Sequence, residues 1–212
     1  MIKVENVDVW GFEHAIRGMR NPMNSWDKSD SHMELILRHD DEHAHVNAII
    51  GQNDLDLMKR LYKAGTEHRK YLRQIFVSMD ITAPLYWWKE FDTYKVGTVS
   101  NSCSTMHKIQ AKEFEPIDFS HEHMNEKSYA VLNTVLAGLN MARDRYLEFK
   151  KKEDWWQMIQ LLPSSYNQKR TITMNYENVV TIIKQRTGHK LDEWNQFIEV
   201  LKSLPYIKEI TE

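Results

Sequence analysis

Apolar and polar residues alternate in some segments of this chain and recur at helical spacing in others, so the pattern predicts both strands and helices. Alternation at residues 2–9 predicts a strand, as do the β-branched and aromatic residues of 76–81. Residues 169–175 predict a third strand. Helical spacing covers seven segments, at residues 12–20, 54–74 with a break at Gly65, 85–94, 126–150, 154–163, 175–187 and 191–204. We therefore expect a helix-rich α/β (α+β) fold with a small central sheet.

The composition is that of a globular chain. Of 212 residues, 42% are hydrophobic and 27% are charged, which suits one full core or two small ones, and we predict a single domain over residues 1–212. The net charge of -2 gives no overall field that attracts nucleic acid or anionic lipid, so we expect no extended nucleic-acid surface. We also expect no membrane contact, because no apolar stretch approaches the ~20 residues of a membrane span.

The expected compartment follows from the cysteine content and the N-terminal segment. Cys103 is the only cysteine, so no internal disulfide can form, as is usual in a reducing compartment. Residues 1–14 carry charges where a signal peptide needs an apolar run. We expect a cytoplasmic protein.

Two groups of residues could form a metal site or a nucleophile, but each also has an explanation that involves no chemistry. The segment RHDDEHAH at residues 38–45 places His39 and His43 four residues apart, a spacing at which a helix can present two metal ligands. HExxH is absent, and a solvated helix of mixed charge explains the segment as well, so we predict no metal site. Cys103, with His107 four residues later, is a candidate nucleophile, although a single cysteine is more often inert.

Residues 97–108, GTVSNSCSTMHK, are predicted to form a polar loop. Its hydroxyls, amides and flanking cations could cradle a phosphate or a pyrimidine, but polar loops are also common without a ligand. No dinucleotide, triphosphate or serine-hydrolase motif occurs in the sequence. The segments YWWKEF and DWW are typical of a core or a subunit interface, and stacking on a planar ligand is the alternative.

A fixed spacing in the C-terminal half carries a family resemblance. Pro163 is followed after twelve residues by Asn175, which has Thr173 two positions before it, and after eleven more by Arg186. This spacing resembles that of the flavin-dependent thymidylate synthases. The likeness covers most of the chain, from roughly residue 60 to residue 200.

The upstream half resembles the same family. Ala83-Pro84 resembles the family's Ala-Pro, which places its Arg-His-Arg motif at residues 93–95. With one inserted residue, Asn101 and Ser104 match the Asn and Ser of the family's Asn-Glu-x-Ser. The family's preceding Gly-His resembles the stretch that ends at His68.

The resemblance implies a set of ligand contacts and an activity. Arg186 would hydrogen-bond the pyrimidine carbonyl of dUMP and stabilise charge developing on the ring. The other matched positions imply FAD contacts at Asn175, His68 and Lys95, and contacts with the nucleotide substrate at Ser104, Asn101 and His107. In that family reduced flavin passes a hydride, methylenetetrahydrofolate gives the carbon and NADPH reduces the flavin. The family members are homotetramers with sites between subunits and serve nucleotide biosynthesis.

The family's phosphate-binding arginines are replaced in this chain. Residues 93–95, Thr-Tyr-Lys, keep one cation, and Glu177 stands where the family has an arginine. Each lost arginine removes a bidentate phosphate contact, which a lysine replaces only as a point charge. A different anion site is one hypothesis, made of Lys95, His107, Lys108, Lys169 and Arg170.

Three hypotheses for the function therefore stand. The first is a FAD-dependent methyltransferase of the thymidylate synthase type, acting on dUMP or a related pyrimidine nucleotide. The second is a nucleotide- or flavin-binding protein of the same fold without synthase activity. The third is a structural or interaction protein whose aromatic clusters form subunit contacts.

Overall fold

The computed structural model describes residues 2–37 and 44–212, and within these ranges it is built on an antiparallel four-stranded sheet. The strand order across this sheet is β1 (Lys3–Trp10), β4 (Phe76–Pro84), β6 (Asn167–Asn175) and β5 (Thr98–Ser102). A separate antiparallel hairpin pairs β2 (His32–Leu37) with β3 (Ala44–Ile49). The small sheet and the many helices confirm the expected fold class.

The described residues form eight α-helices around the strands, and two of these helices begin at an asparagine whose side chain caps the helix. In chain order they are α1 (Phe12–Arg20), α2 (Gln52–Lys63), α3 (Leu85–Phe91), α4 (Glu126–Phe149), α5 (Lys152–Leu161), α6 (Tyr176–Arg186), α7 (Asp192–Lys202) and α8 (Ile207–Thr211). Asn125 caps α4 by accepting a hydrogen bond from the backbone N–H of Ser128, and Lys150 ends that helix in the left-handed conformation. In the described part of the chain, no helix has the length and apolar character to cross a bilayer.

The register between β4 and β6 fixes the start of α6. Phe76 pairs with Asn175 and Pro84 pairs with Asn167, with no shift between them. Alternate residues of β4 from Val77 to Ile81 are buried in the core, as the two-residue period of a strand requires. Because α6 follows β6 directly, this register places Asn175 at the point where the strand ends and the helix begins.

Aromatic side chains of α3 and α7 form the centre of the main core. Trp87 and Trp88 are fully buried, and the Trp87 ring centroid lies 4.8 Å from that of Trp194 and 5.1 Å from that of Phe91. The segment YWWKEF therefore supplies core packing, one of its two expected roles. Because Trp87 and Trp88 are buried, they are not available for the subunit contacts of an interaction protein.

A second cluster of buried side chains lies under α4 and α5. It contains Leu132, Leu136 and Leu139 of α4 together with Met158 of α5, and it is separate from the main core. A single domain over the whole chain stays a prediction.

Several elements differ from the sequence-based prediction. β5 lies inside the predicted loop 97–108, and the patterns do not predict the hairpin of β2 and β3 or the short α8. β5 shows no alternation because most of its side chains are exposed at the sheet edge. His39 and His43 lie outside the described residues, and the backbone of His45 belongs to β3, so the solvated helix considered for residues 38–45 does not include that end.

Candidate functional site

Asn175 is held at the junction of β6 and α6. Its Oδ1 accepts a hydrogen bond from the backbone N–H of Asn178 at 3.1 Å, which is an N-cap. The next N–H, of Tyr176, donates to the carbonyl of Ile75 on the neighbouring segment at 2.9 Å. Only 9% of Asn175 is exposed. Asn175 therefore caps α6 through its Oδ1, and its Nδ2 remains available for another partner.

The turn between α3 and β5 is tied to this helix start. Asn178 Nδ2 donates to the carbonyl of Val96 at 2.7 Å and to Thr98 Oγ1 at 2.9 Å. Gly97 has a φ of 75°, and a Cβ there would lie 2.8 Å from Asn175 Nδ2. Glycine is thus required by both the backbone conformation and the close approach of the asparagine.

A cleft of about 530 Å³ opens between this turn and α6. Its lining residues come from the turn, from α6 and from the 3-10 turn that precedes β4: Arg73, Thr93, Tyr94, Val96, Gly97, Asn175, Glu177, Asn178 and Thr181. The position that resembles the family's Arg-His-Arg motif therefore does meet Asn175 in space.

Arg186, at the other end of α6, is enclosed by acidic and aromatic groups. Its Nη1 lies 2.7 Å from Glu90 Oε2, and its Nε donates to the hydroxyl of Tyr94 at 2.9 Å. The guanidinium carbon lies 4.7 Å from the centre of the Trp194 ring, a cation–π distance. Trp194 Nε1 donates to the same Glu90 oxygen at 2.9 Å. The Arg186 side chain is 19% exposed, so this cage leaves only part of it open.

Glu177, in the first turn of α6, also has an arginine partner. Arg69 Nη2 and Nε donate to Glu177 Oε1 at 2.7 and 3.1 Å. Glu177 Oε2 is buried and has no hydrogen-bond partner among the described residues. The acid stands at the helix end where the macrodipole favours negative charge.

The sequence did not identify Glu90, Arg69 or Arg73 as parts of this region. Glu90 and Arg186 are separated by 96 positions, and Arg69 and Glu177 by 108. Pairing at such separations is set by the fold and leaves no local pattern. The one available signal was the acid at Glu177, since a buried or half-buried acid requires a cation nearby.

Two of the predicted cofactor contacts lie at different distances from the cleft. Lys95 is exposed on the turn 93–97, and its carbonyl accepts a hydrogen bond from Thr98 N at 3.3 Å. His68 is exposed in the turn after α2 and lines another hollow, together with Tyr71 and Gln74. Lys95 lies between Tyr94 and Val96, which line the cleft, without lining it itself, and His68 lies elsewhere on the surface.

The predicted substrate contacts follow β5 away from Asn175. Thr98 pairs with Met174 and Ser102 with Arg170, so this strand runs about 13 Å from the cleft at ~3.4 Å per residue. Asn101 is exposed near the far end of the strand. Ser104 follows, with its Oγ accepting from the backbone N–H of His107 at 3.0 Å. Within one chain these residues are not assembled with Asn175.

Two of the five cations suggested for an alternative anion site already have acidic partners. Lys169 Nζ lies 3.0 Å from Asp80 Oδ2, and Arg170 Nη1 lies 2.7 Å from Asp92 Oδ1. Hydrogen bonds from Thr171, Asn6 and Lys169 lower the pKa of Asp80 to about 2, so it stays ionised as the partner of the lysine. Both cations are therefore already neutralised.

Nucleophile and metal chemistry have no support in the described ranges. Cys103 is exposed, and its backbone N–H donates to the carbonyl of Lys169 at 2.9 Å. Residues 2–37 and 44–212 contain no group of three histidine, cysteine or acidic side chains placed to hold a metal ion.

Solved structures with the same architecture exist, although no protein-family model and no curated protein matches the sequence. Thymidylate synthase X from Helicobacter pylori, solved with FAD and dUMP, superposes with a TM-score of 0.65 at 16% identity and covers 95% of this chain and 91% of its own. A second structure, of the flavin-dependent thymidylate synthase from Helicobacter pylori with FAD and dUMP, gives 0.64 at 17% identity and covers 93% and 92%. The chain has the fold of the flavin-dependent thymidylate synthases.

A related methylase has this fold as well. The UMP/dUMP methylase PolB from Streptomyces cacaoi, bound with 5-Br dUMP, gives a TM-score of 0.60 at 13% identity and covers 95% of this chain and 88% of its own. The resemblance inferred from Pro163, Asn175 and Arg186 is thus confirmed at the level of the fold. At these identities the likeness does not extend to the ligands of this chain.

Proposed function

We propose that the protein binds a pyrimidine deoxynucleotide and FAD, and is a flavin-dependent thymidylate synthase-like enzyme that methylates dUMP reductively or makes a related base modification. The observation that carries this proposal is the position of Tyr94. It lines the cleft at Asn175 and also accepts a hydrogen bond from Arg186. Asn175, assigned to the flavin, and Arg186, assigned to the base, thus both lie near the turn that contains Tyr94, within a single chain.

The donor set of the cleft fits a flavin cofactor. Asn175 is nine-tenths buried, its Nδ2 has no hydrogen-bond partner in the described part of the chain, and a ligand oxygen or ring nitrogen could accept from it. The volume of about 530 Å³ is typical of small-molecule pockets. Asn175 and Lys95 would hold FAD here, and the bound cofactor in its reduced form would supply a hydride. NADPH and methylenetetrahydrofolate belong to the proposal only with synthase activity.

Arg186 is the residue proposed to act on the base. Its Nη1 is paired with the Glu90 carboxylate and its Nε with the Tyr94 hydroxyl, and the described contacts leave its Nη2 without an acceptor. A free donor edge of this kind can bond a pyrimidine carbonyl and stabilise negative charge that develops on the ring.

A specific observation favours a second candidate, a binding protein of this fold without synthase activity. Glu90 Oε2 lies 2.7 Å from Arg186 Nη1 and offsets the positive charge that would act on the base. Glu177 places a second carboxylate beside the cleft. Glu90 weakens stabilisation of a developing anion, whereas Glu177 is paired with Arg69, and both acids leave room for a ligand.

We further propose a homo-oligomer, with a tetramer as the state that the resemblance implies. Asn101, Ser104 and His107 would contact the nucleotide, yet within one chain β5 carries them away from Asn175. A second copy would complete the site by bringing its own β5 end to the cleft. Ligand sites at subunit boundaries are common in proteins that bury apolar faces on assembly.

The absorbance spectrum of the purified full-length protein, before and after addition of FAD and dUMP, tests the flavin proposal. A flavin spectrum that persists through gel filtration is the expected result. A colourless protein that takes up no added FAD would contradict the FAD part of the proposal. Methylation of dUMP by the flavin-loaded protein then separates the enzyme from the binding protein.

Arg186→Ala tests the role of the arginine in nucleotide binding. Loss of a hydrogen bond to a charged donor costs about 1.5–3 kcal/mol, so dUMP affinity should fall about tenfold to hundredfold in calorimetry. Arg143→Ala is the matched control, because the Arg143 side chain is 18% exposed and also pairs with an acid. Equal dUMP affinity in the wild type and in both variants would remove Arg186 from the site.

A further inference from the structure

One arginine in the cleft has no partner among the residues that the structure describes. Arg73, from the 3-10 turn Lys70–Gln74, lines the cleft beside Asn175 and Glu177. Within residues 2–37 and 44–212, Arg73 is in no ion pair and its guanidinium donates no hydrogen bond. Arg69, four positions earlier, is paired with Glu177. Arg73 is therefore free to bind a ligand.

Two further donors face the same space. Asn175 is nine-tenths buried, its Oδ1 is used by the helix cap, and its Nδ2 has no partner among the described residues. That Nδ2 lies against Gly97, which lines the cleft. The first turn of the eleven-residue α6 adds partial positive charge at its N–H groups. A guanidinium, a buried amide and a helix start together favour an anion.

The acid in the cleft does not cancel this preference. Arg69 donates twice to Glu177 Oε1, so that carboxylate is already compensated. Arg69, Arg73 and Glu177 together leave one net positive charge. Thr93, also on the cleft wall, adds no acid.

We propose that Arg73 binds a phosphate group of the ligand in this cleft and replaces the cations missing at residues 93–95. This inference rests on the proposed function, because FAD and a pyrimidine nucleotide are the two sources of that phosphate. Arginine suits the role since its planar donor fork matches two phosphate oxygens, whereas Lys95 offers a point charge.

The experiment measures binding of inorganic pyrophosphate, FAD and dUMP to the full chain by calorimetry, with riboflavin and deoxyuridine as phosphate-free counterparts. Arg73→Gln should weaken binding of pyrophosphate about tenfold to hundredfold, and Arg73→Lys should weaken it less. Arg60→Gln is the matched control, because Arg60 is an exposed arginine on α2. Glu177→Gln should act in the opposite direction and strengthen pyrophosphate binding.

The phosphate-free ligands identify the source of the phosphate. A loss by Arg73→Gln for FAD without a loss for riboflavin assigns the site to the flavin dinucleotide. A loss for dUMP without a loss for deoxyuridine assigns it to the substrate. Arg73-dependent binding of pyrophosphate with no binding of FAD or dUMP supports the phosphate site and overturns the proposed function. Equal affinities of the wild type and Arg73→Gln for all phosphate probes, or no binding of any of them, overturn the role of Arg73.

Discussion

Among single residues, Arg20 and Asp54 show how the fold holds charge away from water. Arg20 Nε lies 2.6 Å from Asp54 Oδ1, and the two side chains are 4% and 0% exposed. The second oxygen of Asp54 accepts from the hydroxyls of Ser29 and Ser31 at 2.8 and 2.7 Å. A buried pair is tolerated when every remaining lone pair is hydrogen-bonded in this way.

Low pH should destabilise the protein, because it protonates Asp54. Burial alone would raise the pKa of Asp54, but hydrogen bonds from Ser31, Ser29 and Arg20 outweigh burial and hold its pKa below the ordinary value. When the pKa of an acid is lower in the folded state, the acid contributes stability at pH values above its pKa in the unfolded state, ~3.9. That contribution is lost as the pH falls through its pKa in the folded state. The free energy of unfolding in urea should therefore decrease below pH ~4.

Substitutions can distinguish the contribution of Asp54 to stability from that of the other acidic residues. Asp54→Ala leaves the buried Arg20 without its carboxylate partner and should cost about 3–5 kcal/mol of unfolding free energy at neutral pH. Asp56→Ala, two positions along at an exposed site, should cost less than about 0.5 kcal/mol. An Asp54→Asn variant that kept the full acid dependence would show that other carboxylates cause it.

Only some residues of the candidate site could be predicted from the sequence. Asn175 and Arg186 were found because both lie on one helix at a fixed spacing. Glu90 and Arg73 were not found, because they reach the region from other elements. Which cation meets which acid depends on packing across the core, and that information is not local.

Among the elements, the turn that connects α3 to β5 couples local backbone geometry to the site. Gly97 has a φ of 75°, and its close neighbour is the cap residue of α6. β5 itself could not be predicted, because an exposed edge strand carries no apolar alternation. β4 could be predicted, because β-branched and aromatic residues are concentrated in it, and most of β6 was included in the strand predicted at residues 169–175.

A comparison of two glycines tests this coupling. Gly97→Ala should lose about 1 kcal/mol for the left-handed backbone and a further cost for the contact with Asn175 Nδ2. Gly188 has the same φ of 75°, and nothing lies within 4 Å of a Cβ placed there, so Gly188→Ala reports the backbone cost alone. Thermal unfolding should show the larger loss for Gly97→Ala, and only this variant should weaken FAD binding. Equal losses of stability in the two variants would mean that the turn at Gly97 adjusts its conformation without displacing Asn175.

For the whole molecule, the layout of helices around a small sheet was accessible from the sequence because long amphipathic helices are its strongest pattern. α4 was expected at 126–150 and lies at Glu126–Phe149. The division of buried side chains into two clusters was not accessible, since the apolar residues of α4 show their helical face but not its partner. The proposed assembly was not accessible either, since it depends on surfaces that one chain leaves exposed.

The exposed apolar side chains of α4 predict self-association. Val131 is 64% exposed and Met141 is 65% exposed, and at about 100° per residue they lie within about 80° of each other around the helix. Phe149 and Leu161 extend the apolar surface at the ends of α4 and α5, at 53% and 47% exposed. A patch of this kind is typical of an interface, and a second copy of the chain is the partner that would also bring a β5 end to the cleft.

The mass of the protein in solution should therefore be a multiple of 25.3 kDa, measured by light scattering after gel filtration. Val131→Lys combined with Met141→Lys should shift the mass toward one chain, because each charge would be buried without a partner in the assembly. Leu35→Lys is the control, since Leu35 is 65% exposed on β2. If the site is shared between copies, the double variant should lose dUMP binding in parallel with the mass, while Leu35→Lys retains both. A single-chain mass for the wild type would contradict the oligomer, and dUMP binding by that single chain would place the whole site within one copy.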